Sequence, residues 1–255
     1  MSAIATAFVA HTSGTLLPGT VIASSDEDAA YPASRLRNGR AASKMRTGDA
    51  TGAKTITFTF AQPLAFGALS IRGHNLSSGS TITAEIGPSG AEAVAWAADE
   101  IRHLFLSTWE GASLVVTITD PASPDGYQEL GTCDPWICHE VGELADPAMV
   151  HEQIDTSVAV AAPMSQQSVT RERSRPRRTS HGWTRLAAER ARATLAALDV
   201  LRHNGRGWIC GDVAELADAD RSTIGVLQTP PKRALSFRHG AQMDIGPVTM
   251  LEDTW

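Results

Sequence analysis

From the start of the chain to about residue 145, short runs alternate apolar and polar side chains and are separated by turn residues. Ile56-Thr57-Phe58-Thr59-Phe60 has the period of two expected of a half-buried strand. Ala68 to Arg72, Ser80 to Ile86, Arg102 to Ser107 and Ser113 to Asp120 repeat it. Gln62-Pro63, Ser77-Ser78-Gly79, Gly87-Pro88-Ser89-Gly90, Glu110-Gly111 and the run from Pro121 to Gly126 predict the turns between them. Many short strands at near-regular spacing, with no strong helix among them, predict a β-sandwich or jelly roll over residues 1–145. Residues 31–54 break the pattern. They are polar, rich in small residues and carry Arg35, Arg37, Arg40, Lys44 and Arg46, which predicts a long structured loop packed over one end of the sandwich.

The character changes after about residue 142, and Glu143-Leu144-Ala145-Asp146-Pro147 reads as the entry to a second domain, 146–255. A strand pattern follows at Gln167 to Arg175, then the one convincing helix, Thr184 to His203. On a helical wheel Leu186, Ala187, Ala188, Ala191, Leu195, Leu198 and Leu201 share one arc. Arg185, Glu189, Arg192, Asp199 and His203 take the other face, with Glu189 spaced to meet Arg185 and Arg192. Asn204-Gly205 predicts the helix stop. Trp208 to Cys210, Thr223 to Gln228, Arg233 to Arg238 and Gln242 to Met250 read as strands. The expected class is mainly β (α+β), with the second domain a small β-sandwich or barrel packed on a single helix.

Composition narrows the function classes. The 255 residues are 42% hydrophobic and 20% charged, which excludes a disordered chain, a collagen-like fibre and a disulfide-dense miniprotein. No apolar run approaches the roughly 20 residues of a membrane-spanning helix. The start, MSAIATAFVA, lacks a basic region, so no signal peptide is expected. Three cysteines cannot all pair, which suggests reduced thiols and synthesis in a cytoplasm. Charge is unevenly spread: residues 171–206 hold ten arginines and three acids, a net of +7 that leaves −13 for the rest of a chain at −6. Within it Arg171, Arg173 and Arg175 fall on one side of an extended segment. Three readings stand open for this row: a track for nucleic acid phosphates, a solvated edge strand, and a subunit face meeting acidic groups of a neighbour.

Candidate chemistry is sparse. Cys133-x4-Cys138-His139 has the residue types of a metal site, but its spacing is loose and no second Cys or His pair follows. Cys138 sits in Trp-Ile-Cys, repeated at Trp208-Ile209-Cys210, so both cysteines are expected to pack as small hydrophobes, without zinc. No Walker, dinucleotide, zincin or nucleophile-elbow motif occurs, and neither catalysis nor a cofactor is expected.

Four segments carry a family resemblance: Tyr31-Pro32-Ala33-Ser34-Arg35-Leu36, then Ile56 to Phe60, then Leu69-Ser70-Ile71-Arg72-Gly73-His74-Asn75-Leu76-Ser77, and Gly126-Tyr127-Gln128-Glu129-Leu130-Gly131 with Trp136-Ile137. The series resembles the galactose-binding-like (discoidin-type) jelly rolls found in tail-tip proteins of long-tailed bacteriophages and gene-transfer-agent-like particles. The order of a polar strand, a helix, Gly207 to Cys210 and a strand near Gly225 is similar to their tail-tube-like domain. Lys44-Met45-Arg46 stands where relatives often carry an aromatic such as Trp, and Cys133–Pro135 interrupts the strand that leaves the first domain. The resemblance implies a structural virion protein of the distal tail or baseplate, assembled in the host cytoplasm. Its partners would be itself, in a hexameric ring, and the tail tube, tape-measure and baseplate hub proteins, with Arg171, Arg173 and Arg175 as candidate subunit-interface residues. The alternative is a carbohydrate-binding adhesin whose first domain grips host surface glycans, and the low aromatic content, 5%, favours the ring.

Overall fold

The computed structural model describes residues 4, 6–87, 90–143, 151–153, 158–161, 168–171, 177–216, 222–229, 233–236 and 242–252. The chain divides into two compact units, one of Met1–Ala5 with Ala10–Glu140, the other of Thr6–Val9 with Val141–Trp255.

The first unit takes the end of β1 (Phe8–Ser13) and then β2 (Val21–Ser24), β3 (Met45–Arg46), β4 (Ala53–Arg72), β5 (Thr81–Ile86), β6 (Ala91–Val94), β7 (Glu100–Thr119), β8 (Glu129–Leu130) and β9 (Thr132–Glu140). β4 and β7 pair antiparallel from Ala53 opposite Thr119 to Arg72 opposite Glu100, with register shifts between Thr59 and Leu64 and between Phe66 and Ala68. The short strands expected at 56–60 and 68–72, and at 102–107 and 113–120, are therefore halves of two long ones. Gln62-Pro63 and Glu110-Gly111, expected to be turns, lie inside them. A bulge bends a strand without ending its ladder. Gly111 lets the chain pass Ile86, whose Cγ2 would stand 2.9 Å from any Cβ there.

Beyond the bends the partners change. The first half of β4 pairs with β2 and the second with β9, while β5 joins the end of β7 and β6 joins β5. Ile56, Phe58, Ile82 and Val116 from one set meet Leu69, Ile71, Ile101 and Cys133 from the other in a single core. Thr55, Thr57 and Thr59 alternate outward, as the period of two requires. This is a mainly-β sandwich. β9 runs unbroken through Cys133–Pro135, contrary to the interruption expected there. Pro135 stands opposite Leu69, and its ring lies 3.0 Å from where a side chain at Gly14 would begin.

The second unit holds β10 (His151–Gln153), β11 (Val158–Ala161), β12 (Ser168–Arg171), β13 (Arg177–Ala187), α1 (Ala188–Asn204), β14 (Gly207–Cys210), β15 (Ser222–Thr229), β16 (Arg233–Ser236) and β17 (Gln242–Glu252). β17 is central, pairing with β13, β15 and β16, and β14 pairs with β15. The helix begins four residues later than its pattern predicts. Residues 184–187 stay in β13 because Leu186 and Ala187 pair with Met243 and Gln242, and Trp183 and Leu186 are fully buried. Tertiary pairing outweighs helix propensity here. Arg185 is consequently not on the helix, and its expected pairing with Glu189 does not arise from helical spacing. Ala191, Leu195, Leu198 and Leu201 face the core as predicted. Gly205, at φ 76°, caps the helix through an N–H bond to Leu201 O at 3.1 Å.

Arg171 closes β12 opposite Val158. Arg173, Arg175 and residues 144–147 of the expected domain entry lie outside the described residues.

Candidate functional site

Three segments quoted for the resemblance, distant in sequence, converge at one end of the first unit. The 31–46 loop is closed by Arg46 N–H donating to Tyr31 O at 3.0 Å. It begins with a 3-10 turn, Ala33–Asn38, that buries Ala33 and Leu36, and Gly39 at φ 64° ends the turn. Short β3 then pairs with β8, Met45 opposite Leu130 and Arg46 opposite Glu129. Alternation does the rest: Met45 and Leu130 enter the core, each 1% exposed, and Arg46 and Glu129 face each other across the ladder.

Asn75 ties the third segment to these two. Its side-chain amide donates to Tyr127 O at 3.1 Å and to Asp125 Oδ2 at 2.9 Å, and its Oδ1 accepts Glu129 N–H at 2.7 Å. Ser77 anchors the same loop on buried Asp120 through its N–H at 2.8 Å and its hydroxyl at 2.5 Å. Two glycines make the approach possible. A Cβ on Gly73 would meet Ala41 O at 3.1 Å, and one on Gly131 would meet it at 2.2 Å. Trp96, half-buried, donates its indole N–H to Leu76 O at 3.1 Å.

The result is a stack. The Arg46 guanidinium carbon lies 4.0 Å from the Tyr31 ring centre and 4.9 Å from that of Tyr127, and Arg35 is 4.7 Å from Tyr31. These are the chain's two tyrosines. Arg46 Nε donates to Glu129 Oε2 at 2.6 Å, and Lys44 Nζ binds the other oxygen. The Glu129 carboxylate raises the Arg46 pKa further above its ordinary value, so Arg46 stays charged. Glu129 is 7% exposed, against 29% for Arg46 and 38% for Lys44. A buried acid thus sets the position of two partly exposed cations. Burial pushes the neighbouring His74 pKa below its ordinary value, against the opposing pull of the Ala97 backbone and Asp99.

Sequence reasoning quoted all of these segments and missed the stack itself. Lys44-Met45-Arg46 suggested that no aromatic stood there, yet Tyr31 and Tyr127 bring their rings to Arg46 from other segments. The signal available was the pairing of two glycine-flanked motifs, 73–77 and 126–131, with a cation-rich loop.

The other candidates are not drawn together here. Cys133 is fully buried and its pKa is pushed well up by burial and then by Asp134. Cys138, five residues on, is partly exposed and bonds Trp136 O at 3.6 Å. No group of three or more His, Cys, Asp or Glu suited to a metal occurs among the described residues. Asp134 is buried where Ser13 and Thr15 donate hydroxyls at 2.8 and 2.6 Å. Burial raises its pKa, with those hydroxyls and Arg72 opposing. An apolar cleft of about 340 Å³ lies between Leu17, Pro18, Phe60, Leu64 and Ile137.

No family model and no curated protein matches the chain. Among solved structures it is similar to chitosan-binding module 1 from a Paenibacillus sp. IK-5 chitosanase/glucanase, with 13% identity and a TM-score of 0.42 over 50% of this chain and 99% of that one. It is also similar to the family 32 carbohydrate-binding module of Clostridium perfringens NanJ in complex with galactose, with 15% identity and a TM-score of 0.41 over 51% and 99%. Chitosan-binding module 2 in complex with chitotriose, from the same Paenibacillus enzyme, gives 13% and 0.38 over 47% and 96%. These neighbours are carbohydrate-binding modules, and this chain is a mainly-β sandwich with one α-helix among the described residues.

Proposed function

We propose that the first unit is a carbohydrate-binding module and that a host surface glycan docks on the surface built around Tyr31, Arg46, Trp96 and Tyr127. The Tyr31–Arg46–Tyr127 stack beside Glu129 carries this reading. Aromatic rings offer an apolar face to the C–H side of a sugar, and forked cations offer fixed donors to its hydroxyls. The module acts by binding, without catalysis. Glycoside hydrolysis needs two carboxyl groups flanking the bond, but both Glu129 oxygens are held by cations and Asp125 Oδ2 accepts from Asn75.

A second reading concerns the whole chain: a structural component of a phage tail tip, ring-forming through the second unit. The succession of β13, α1, β14 and β15 favours it, because it is the order that the resemblance implies for a tail-tube-like domain. The two readings are compatible, since a tail tip faces the host envelope.

Affinity electrophoresis of the full chain against a panel of neutral and acidic polysaccharides tests the module. Retardation by at least one of them is expected. Tyr127→Ala should abolish it while leaving the melting temperature within a few degrees. Free migration in every gel would end the glycan reading.

A further inference from the structure

We propose that the glycan is anionic, and that its carboxylate, sulfate or phosphate group seats between Arg35 and Arg46 beside Tyr31. The inference rests on the carbohydrate-binding reading above and names the class of sugar. Residues 31–46 hold five cations, Arg35, Arg37, Arg40, Lys44 and Arg46, and no acid, in a chain whose net charge is −6. A solvated loop has no need of such a bias.

The surrounding acids do not cancel it. Glu27 accepts the Ala33 N–H at 2.8 Å, Asp28 accepts the Ala30 N–H at 2.8 Å, and Glu129 serves both Lys44 and Arg46. These three acids and Asp125 make four against five cations, so a positive excess remains. Asp125, on the Tyr127 side, is engaged by Asn75.

Geometry places the excess. The Arg35 backbone N–H donates to Pro32 O at 3.0 Å, but its side chain makes no hydrogen bond among the described residues, and its guanidinium lies against the Tyr31 ring. Arg46 gives Nε to Glu129 and keeps its two terminal nitrogens for other acceptors. Their guanidinium carbons lie 4.7 and 4.0 Å from one ring centre, so they stand no more than 8.7 Å apart, the sum of those distances. Each guanidinium donates across about 2.9 Å, so an oxyanion beside Tyr31 finds forked donors there. Two like charges held against one ring repel each other, and a bound oxyanion relieves that repulsion.

The test uses the full chain and matched polymers: polygalacturonate and its fully methyl-esterified form, sulfated and desulfated galactan, and a phosphate-linked teichoic acid. One acidic member is expected to bind about tenfold or more tightly than its neutral partner, the size of a charge-assisted hydrogen bond. Which arm responds identifies the carboxylate, sulfate or phosphate. Arg35→Gln should remove the preference, bringing the acidic-to-neutral affinity ratio to about one, and circular dichroism checks its fold. The esterified polymer makes the same comparison with no substitution at all. Equal binding of acidic and neutral forms, abolished by Tyr127→Ala, would overturn the anionic preference and leave the glycan module standing. Binding of no polysaccharide would overturn both. Equal binding of single-stranded DNA would reduce the loop to an unspecific polyanion surface and overturn the proposal.

Discussion

Single side chains carry the loops at the site's end of the first unit, and Lys54 shows how. Its ammonium lies 2.6 Å from both Asp26 Oδ2 and Asp49 Oδ1, joining the turn after β2 to the turn before β4. Hydrogen bonds from Lys54 and then from Thr51 hold Asp49 down at about 2, below its ordinary 3.8. A carboxyl depressed on folding contributes stability above its unfolded pKa and loses it as pH falls through the folded one. The contribution should therefore fade between about pH 4 and pH 2. Carboxyl NMR titration should place Asp49 near 2 and Lys54→Met should move it towards 3.8. A midpoint unmoved by that substitution would assign the whole depression to Thr51. Side chains of this kind were only partly legible in the sequence. The motif around Asn75 could be quoted, but its partners Tyr127 and Glu129 stand 52 and 54 residues away. A bond across that separation leaves no local period. The same holds for Arg46, whose aromatic neighbours come from two other segments.

Elements were legible where burial alternates or turns once every 3.6 residues, and illegible where the chain bends without stopping. Ile82, Ala84 and Ile86 of β5 and Leu195, Leu198 and Leu201 of α1 occupy the faces their spacing predicts. The bulges of β4 and β7 look like turns in sequence because Gln-Pro and Glu-Gly favour both. The two-residue strands β3 and β8 have too few residues for any period, yet they set Arg46 against Glu129. β3 and β8 depend on close backbone packing, which gives a test. Gly131→Ala puts a methyl group 2.2 Å from Ala41 O, an overpacking expected to cost about 1–3 kcal/mol. It should also weaken glycan retention by displacing the 31–46 loop. Leu198→Ala, in the other core, should cost about 2–5 kcal/mol and leave retention of the folded protein unchanged. Urea unfolding followed by affinity electrophoresis separates the two effects. Equal loss of retention in both variants would show that binding follows general stability rather than the loop.

At the scale of the whole molecule, the distribution of charge sets two expectations apart. The basic 31–46 loop belongs to the first unit and serves the glycan reading, whereas the +7 window at 171–206 falls in the second. A ring closed by head-to-tail contacts uses two different surfaces of each subunit. Opposite charges on those surfaces favour closure and suppress wrong registers. The acidic remainder of −13 supplies a counterpart to the window, and arginine suits such a contact because its planar fork can hold a carboxylate with two hydrogen bonds. The tail-tip reading therefore expects a closed oligomer, with six subunits as its implied order, that dissociates as salt screens the contact. Light scattering coupled to size exclusion measures this directly. Replacing Arg171, Arg173 and Arg175 together by glutamate should leave single subunits with an unchanged melting temperature and undiminished glycan retention. A wild-type chain that stays monomeric at every concentration would remove the ring while leaving the module in place. A triple variant that assembles as well as the wild type would reduce the row to a solvated edge, whose charge keeps an exposed strand from pairing with others.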